Sequence, residues 1–192
     1  MLNLNGHFFD IVQTALPSIP LDKIENIKFA INQFNLEGKS IKITSELLDC
    51  FSQGDIISGI PFIYYERDGN QSVGVYNAMV LSNTCDIQRN ENILVAPIFP
   101  VSEYIHKDIT SLKKNYIYEF MYFDDIIIGE SYINFGIINS INRVMIEEGI
   151  KLNKFNRIRS LTDIGYYMFI LKLTIFLLRR EDLINFSSRE KE

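Results

Sequence analysis

Hydrophobic spacing along the chain changes from helical to extended and back again. From His7 to Leu16, Phe8, Ile11, Val12 and Ala15 recur at intervals of three and four, which predicts a helix ended by Pro17 and Pro20. A second helix begins at Asp22, carries Ile24, Ile27, Ile31 and Phe34 on one side, and stops by Gly38. Ser40 to Thr44 alternates like a short edge strand, and Ser45 to Asp49 suggests one helical turn. From Gln53 the period becomes extended. Gly54 to Ile57 and Pro61 to Glu66 are two strand-like runs. The Asp68-Gly69 pair predicts a hairpin, with Val73 to Leu81 as the returning strand.

After a polar loop from Ser82 to Asn92, Ile93 to Ile98 is a short apolar run that fits a buried strand. Val101 to Leu112 is expected to be a short helix capped by Ser102. Tyr116 to Phe123 predicts another strand and Asp124-Asp125 a turn. Further extended pieces fall at Ile126–Ile128, Tyr132–Phe135 and Ile141–Ile146. The last element is the clearest. Ser160-Leu161-Thr162-Asp163 resembles a capping box, and the helix runs from there to about Asp182, with Arg179 and Arg180 in its last turn. Ile164 to Leu178 is almost wholly apolar, yet it is shorter than the roughly 20 residues a membrane span needs and contains Lys172 and Thr174. A helix buried on a sheet or at an interface fits better. The tail from Ser187 to Glu192 reads as frayed.

Composition narrows the possibilities further. Hydrophobic residues make up 47% and charged residues 22% of 192, which excludes disorder as the main state. The net charge of −5 offers phosphate no general attraction, so indiscriminate coating of RNA or DNA is excluded. Cys50 and Cys85 are the two cysteines, without a paired metal or redox spacing. With no basic and apolar leader evident, a reducing, cytoplasmic setting is expected.

Three fragments then stand in a suggestive order: Gly54-Asp55-Ile56, Ala78-Met79-Val80-Leu81-Ser82-Asn83, and Val95-Ala96-Pro97-Ile98. Together they resemble the barrel motifs of the MazF/PemK (Kid-like) toxins, over about residues 53–100. The resemblance implies an α+β fold: an SH3-like, MazF/PemK-type small antiparallel β-barrel with N-terminal helices and a long C-terminal helix. It divides the chain into a helical extension (1–52), a barrel (53–150) and a C-terminal helix (151–192). Members of that family cleave RNA with an arginine and a threonine or serine. The arginine's position falls here on Tyr76, followed by Asn77, and the hydroxyl's position on Phe99, followed by Pro100. Tyr76 brings no positive charge to a phosphate and Phe99 has no hydroxyl. Losing one such preorganised donor costs about 3–4 kcal/mol of barrier. Arg67 and Arg89, in loops beside the barrel strands, are the reasonable replacement cations, with Arg143 more remote.

Other candidates each carry two readings. Thr84-Cys85-Asp86 suggests a cysteine nucleophile or polar pocket with Asp86 orienting a partner. A nucleophile needs a base, and His7 and His106 are not tied to Cys85 by sequence. A small cysteine with Asp86 in an Asx-type turn is the plainer account. A metal site from Cys50, Cys85 and His106 has no supporting spacing. Asp55 fits the start of a strand better than a catalytic acid, and Asp124-Asp125 a solvated turn better than a cation site. Tyr64, Tyr65, Tyr76, Tyr116, Tyr118 and Tyr122 offer rings for base stacking or for a core. Lys151, Lys154, Arg157 and Arg159 read as a solvated basic connector. The expected function is a non-catalytic interaction or regulatory module, with a groove of Tyr76, Ser82, Asn83, Thr84, Asp86 and Phe99. The resemblance hints at a toxin–antitoxin or phage-defence setting. Its partner is a protein or a second copy meeting the helix from Ile164 to Leu178, with no cofactor, metal or membrane. The alternative is a divergent ribonuclease acting on single-stranded RNA through relocated groups.

Overall fold

The computed structural model describes residues 42–66, 68–105 and 108–178. The helices expected within 1–36, the Gly38 stop, Arg67, His106, Arg179, Arg180 and the Ser187–Glu192 tail lie outside the described residues. Those described form an α+β fold dominated by one antiparallel sheet. Its strands are β1 (Ile43–Thr44), β2 (Ile56–Tyr65), β3 (Gln71–Val80), β4 (Asn92–Pro100), β5 (Phe120–Asp125), β6 (Gly129–Asn134), β7 (Asn139–Asn142) and β8 (Asn156–Leu161). Helices α1 (Thr84–Ile87), α2 (Ile109–Lys113), α3 (Arg143–Lys151) and α4 (Asp163–Leu178) lie between and after them.

The strand order is β1-β8-β2-β3-β4-β6-β5, with β7 paired to β4 off that path. The ladder is open, but the sheet curls until its two ends meet through side chains. Lys42, just before β1, donates from Nζ to the Tyr122 carbonyl of β5 at 3.1 Å. Arg159 of β8 donates from Nε to both carboxylate oxygens of Asp125, at the end of β5, at 3.2 Å. Irregularities in the β2–β3 and β2–β8 pairing help the bend, since an extra residue on one strand increases local twist. Gly54, at φ +88°, turns the chain into β2 in a conformation that other residues resist. The result is barrel-like, and it draws on strands from both sides of residues 53–150.

Inside the curl, Ile56, Met79, Ala96, Ile98, Met121, Phe123, Ile133 and Phe135 face Met168 and Phe169 of α4. Phe135 sits 6.2 Å from Phe169 and 6.0 Å from Phe176, ring to ring. The C-terminal helix therefore closes the core. On the outer face, Ile57, Ile60, Phe62, Ala78, Val80, Ile93 and Val95 pack with Ile87 of α1 and Ile146 of α3. A third cluster, Phe99, Val101, Leu112, Phe120 and Tyr132, is mostly aromatic.

Several local expectations are corrected. Ser45–Asp49 is not helical: Arg157 binds the carbonyls of Leu48 and Cys50, both at 3.0 Å, so a side chain takes the place of a helical turn there. Val101–Leu112 is not one helix. A 3₁₀ turn at Val101–Glu103 follows Pro100, and α2 starts afresh where Asp108, not Ser102, accepts the Ser111 amide at 2.9 Å. The strand expected from Tyr116 begins only at Phe120. Asn115 adopts φ 57° and its side chain accepts the Tyr122 amide at 2.6 Å, folding Tyr116–Glu119 into a turn. Asp124 and Asp125 pair within β5, and the apolar Ile126–Ile128 is the actual turn. Asp125 accepts the amides of Ile127 and Ile128 at 3.0 Å and so shapes it. Ile141–Ile146 is half strand, half helix, because Asn142 accepts the Val144 and Met145 amides and caps α3. At α4 the capping side chain is Thr162, whose hydroxyl accepts the Gly165 amide at 3.1 Å; Ser160 belongs to β8. The basic connector is in large part that strand. Among the described residues no helix is long and apolar enough to cross a membrane.

Candidate functional site

Tyr76 on β3 and Phe99 on β4 come together, with ring centroids 4.7 Å apart. The contact continues as a chain of rings: Phe62 to Tyr76 at 6.3 Å, Phe99 to Tyr132 at 5.7 Å, Tyr132 to Tyr104 at 5.6 Å and to Phe120 at 5.1 Å. Tyr76 lies along its own strand, over Gly74, where a Cβ would collide with the ring. Its hydroxyl reaches that of Tyr64 at 3.4 Å. That bond, burial and the charges of Glu103 and Glu66 push the Tyr76 phenol up to about 12. Burial, helped by Glu103 and Glu119, pushes Tyr132 up to about 12 as well. The side-chain carboxylates acting on these two phenols have the wrong sign for a phosphate. Tyr122 belongs with the same cluster, whereas Tyr65, Tyr116 and Tyr118 are exposed.

The polar half of the expected groove lies elsewhere. Ser82 is six residues on from Tyr76, roughly 20 Å of extended chain, and its hydroxyl accepts the Leu94 amide at 2.8 Å. Asn83 accepts the Cys85 amide at 2.9 Å and caps α1. Thr84 accepts the Gln53 amide at 3.0 Å. Gln53 in turn donates its side-chain amide to the Leu81 carbonyl at 2.7 Å and accepts the Tyr166 hydroxyl at 3.0 Å. These side chains fasten the end of β3 to α1 and α4. Cys85, Asp86 and Arg89 are exposed on or just after α1. Burial, with Tyr167 and Cys85 nearby, raises the Tyr166 phenol. Cys50, also exposed, places its sulfur 3.3 Å from the Ser52 hydroxyl. Of the replacement cations, Arg143 donates to Glu147 at 2.6 Å and to the Asn90 carbonyl at 3.3 Å.

Several ionic features escaped the sequence pattern. Arg157 pairs at 2.9 Å with Asp55, which is wholly buried; burial pushes that carboxyl up, against the Ser52 amide and the guanidinium. Burial also pushes Asp125 up, but the Ile128 and Ile127 amides and Arg159 outweigh it and hold the carboxyl below its usual range. Lys172 of α4 is 2% exposed and donates to the carbonyls of Asn115 and Ile117, both at 2.6 Å. Burial, with Lys42 nearby, lowers its pKa to about 7, and burial lowers Lys42 to about 8.

The feature most open to another molecule is the far half of the β2–β3 hairpin. β8 pairs with β2 at Ile56–Ser58, and β4 with β3 at Asn77–Val80. Beyond those points the two strands pair with one another, Pro61 opposite Val75, Ile63 opposite Val73 and Tyr65 opposite Gln71. No third strand joins them among the described residues. One face of this arm is an apolar strip: Ile63 is 53%, Tyr65 74%, Val73 66% and Val75 68% exposed. The hydrogen-bond parity is fixed at both ends. The Glu66 amide bonds Asn70 across the hairpin, and the Leu81 amide bonds Leu94 of β4 on the other side. Odd-numbered residues of β3 thus aim their backbone groups away from β2, so Gln71, Val73 and Val75 form an open edge. On β2 the corresponding edge includes Pro61, which has no N–H to offer. A signal for the arm was present in the sequence: Phe62-Ile63-Tyr64-Tyr65 is apolar in both phases of the alternation.

Fold and site together define a curled antiparallel sheet closed by a helix, with a projecting two-stranded arm beside an acid-rimmed aromatic cluster. Compared with known proteins, the chain matches no protein-family model and no curated protein.

Proposed function

We propose that this chain is a non-catalytic docking module built on a MazF/PemK-type, SH3-like barrel, acting in a toxin–antitoxin or phage-defence setting, with the β2–β3 arm as its contact element. One observation carries the reading. Among the described residues, the arm holds its apolar strip exposed on a ribbon whose β3 edge pairs with no third strand, and such an edge is a template for another strand. The helix from Ile164 to Leu178 is the lesser candidate, because Met168, Phe169, Leu171 and Lys172 are buried. A nuclease is disfavoured by what occupies the two positions that the family resemblance makes catalytic. Tyr76 and Phe99 pack against each other there, with carboxylates nearby.

The test has two arms. Purified protein incubated with single-stranded RNA should leave it intact, and Arg89→Ala should make no difference. Short strand-forming peptides should bind saturably, with amide shifts confined to the arm and its neighbours. RNA cleavage abolished by Arg89→Ala would establish the ribonuclease alternative instead.

A further inference from the structure

The open edge of β3 is flanked unequally. On one face stand Val73 and Val75, exposed and uncharged. On the other stand the Tyr76 ring and, near it, the exposed carboxylates Glu66 and Glu103. Glu66 is held toward the strand by the Ser72 hydroxyl, which donates to it at 3.0 Å. β4 pairs with β3 only as far as Asn77 opposite Ile98, while its other edge pairs with β6 from Ile98 to Pro100. Among the described residues no strand other than β2 therefore pairs with β3 from Gln71 to Tyr76, an edge with aromatic rings next to it and acids at its rim.

We infer that this edge takes an extended segment of a partner protein with Lys or Arg at alternate positions and apolar residues between them. The segment adds as a strand to β3 between Gln71 and Val75. This rests on the reading of the arm as the docking element. Alternation follows from strand geometry, which sends successive side chains to opposite faces. The apolar set meets Val73 and Val75. The cationic set meets Glu66, Glu103 and the face of Tyr76, where ring and carboxylate both favour a positive group. A nucleic acid fits poorly, because its phosphates would face the same acids. Strand addition by a second copy also fits poorly, because two β3 edges would bring two sets of Glu66 and Glu103 together, and like charges across a ladder repel.

Three synthetic peptides test this against the full chain by calorimetry: one alternating Lys and Val, one alternating Glu and Val, and the Lys–Val peptide with every second amide N-methylated. The Lys–Val peptide should bind about tenfold or more tightly than the Glu–Val peptide and weaken in high salt. Glu103→Lys should narrow or invert that preference. N-methylation should cost about tenfold or more, because it removes the backbone donors a ladder needs. Hydrogen exchange at Val73 and Val75 should slow on binding. Equal binding of the Lys–Val and Glu–Val peptides would overturn the basic partner while leaving a docking arm in place. Undiminished binding of the methylated peptide would overturn strand addition. Binding of none of the three would overturn the docking reading itself.

Discussion

Lys172 is a buried, pH-sensitive cation in the middle of an apolar helix. Its ammonium group is buried against two carbonyls, and desolvation lowers its pKa from 10.5 to about 7. Between those values the unfolded chain binds more protons than the folded one, so stability rises with pH across the window. Lys42 acts in the same direction from about 8 upward. The tyrosines reverse the trend. Unfolded phenols ionise near 10, whereas Tyr76 and Tyr132 hold their protons to about 12, so folded stability falls as pH rises between those values. Urea midpoints should climb from about pH 7 toward about pH 10 and then decline, and Lys172→Met should flatten the climb. A midpoint independent of pH across that range would contradict the assignment. The sequence showed Lys172 only as an interruption in an apolar helix. The loop carbonyls that receive it are 55 and 57 residues away.

At the scale of elements, β8 differs most from its sequence pattern. Asn156–Leu161 alternates Arg157, Ile158, Arg159 and Ser160, which has the polarity of a surface connector. It becomes a strand because each arginine finds a fixed carboxylate: Asp55 beside β2 and Asp125 at the end of β5. Removing one partner of a buried pair strands the other charge. Arg157→Ala should therefore destabilise the fold by about 3 kcal/mol or more in denaturant titrations, with Asp55 left buried without its cation. The loss should be smaller when Asp55→Asn accompanies it. Elements whose signal is local were legible. The Asp68-Gly69 turn, the β3 and β4 runs and α4 all fall within a few residues of where spacing places them. Misplaced elements were those decided by a single capping or turn-forming side chain, such as Asn115 and Asn142.

For the whole molecule, the contrast is between a core closed by α4 and an arm that contributes little to it. Phe169 is fully buried against Phe135 inside the curl, so Phe169→Ala should cost about 3–5 kcal/mol. Val73→Ser and Val75→Ser lie on the solvent face of the arm and should change stability by no more than about 0.5 kcal/mol. Thermal melts of the three variants separate the two roles. If the arm variants melted as early as the Phe169 variant, the arm would belong to the folding core rather than to a docking surface.

By itself, the sequence determined the period of each long element, the main hairpin and the aromatic character of positions 76 and 99, because these depend on neighbours along the chain. It also contained the apolar arm, without saying which of its two apolar phases would be covered. Tertiary structure alone decided that β5 would curl round to Arg159, that Lys172 would be buried, and that Tyr76 would pack against Phe99 while Ser82 and Thr84 tied loops elsewhere. Those outcomes depend on which distant groups meet once the sheet bends, and linear spacing carries no record of that curvature.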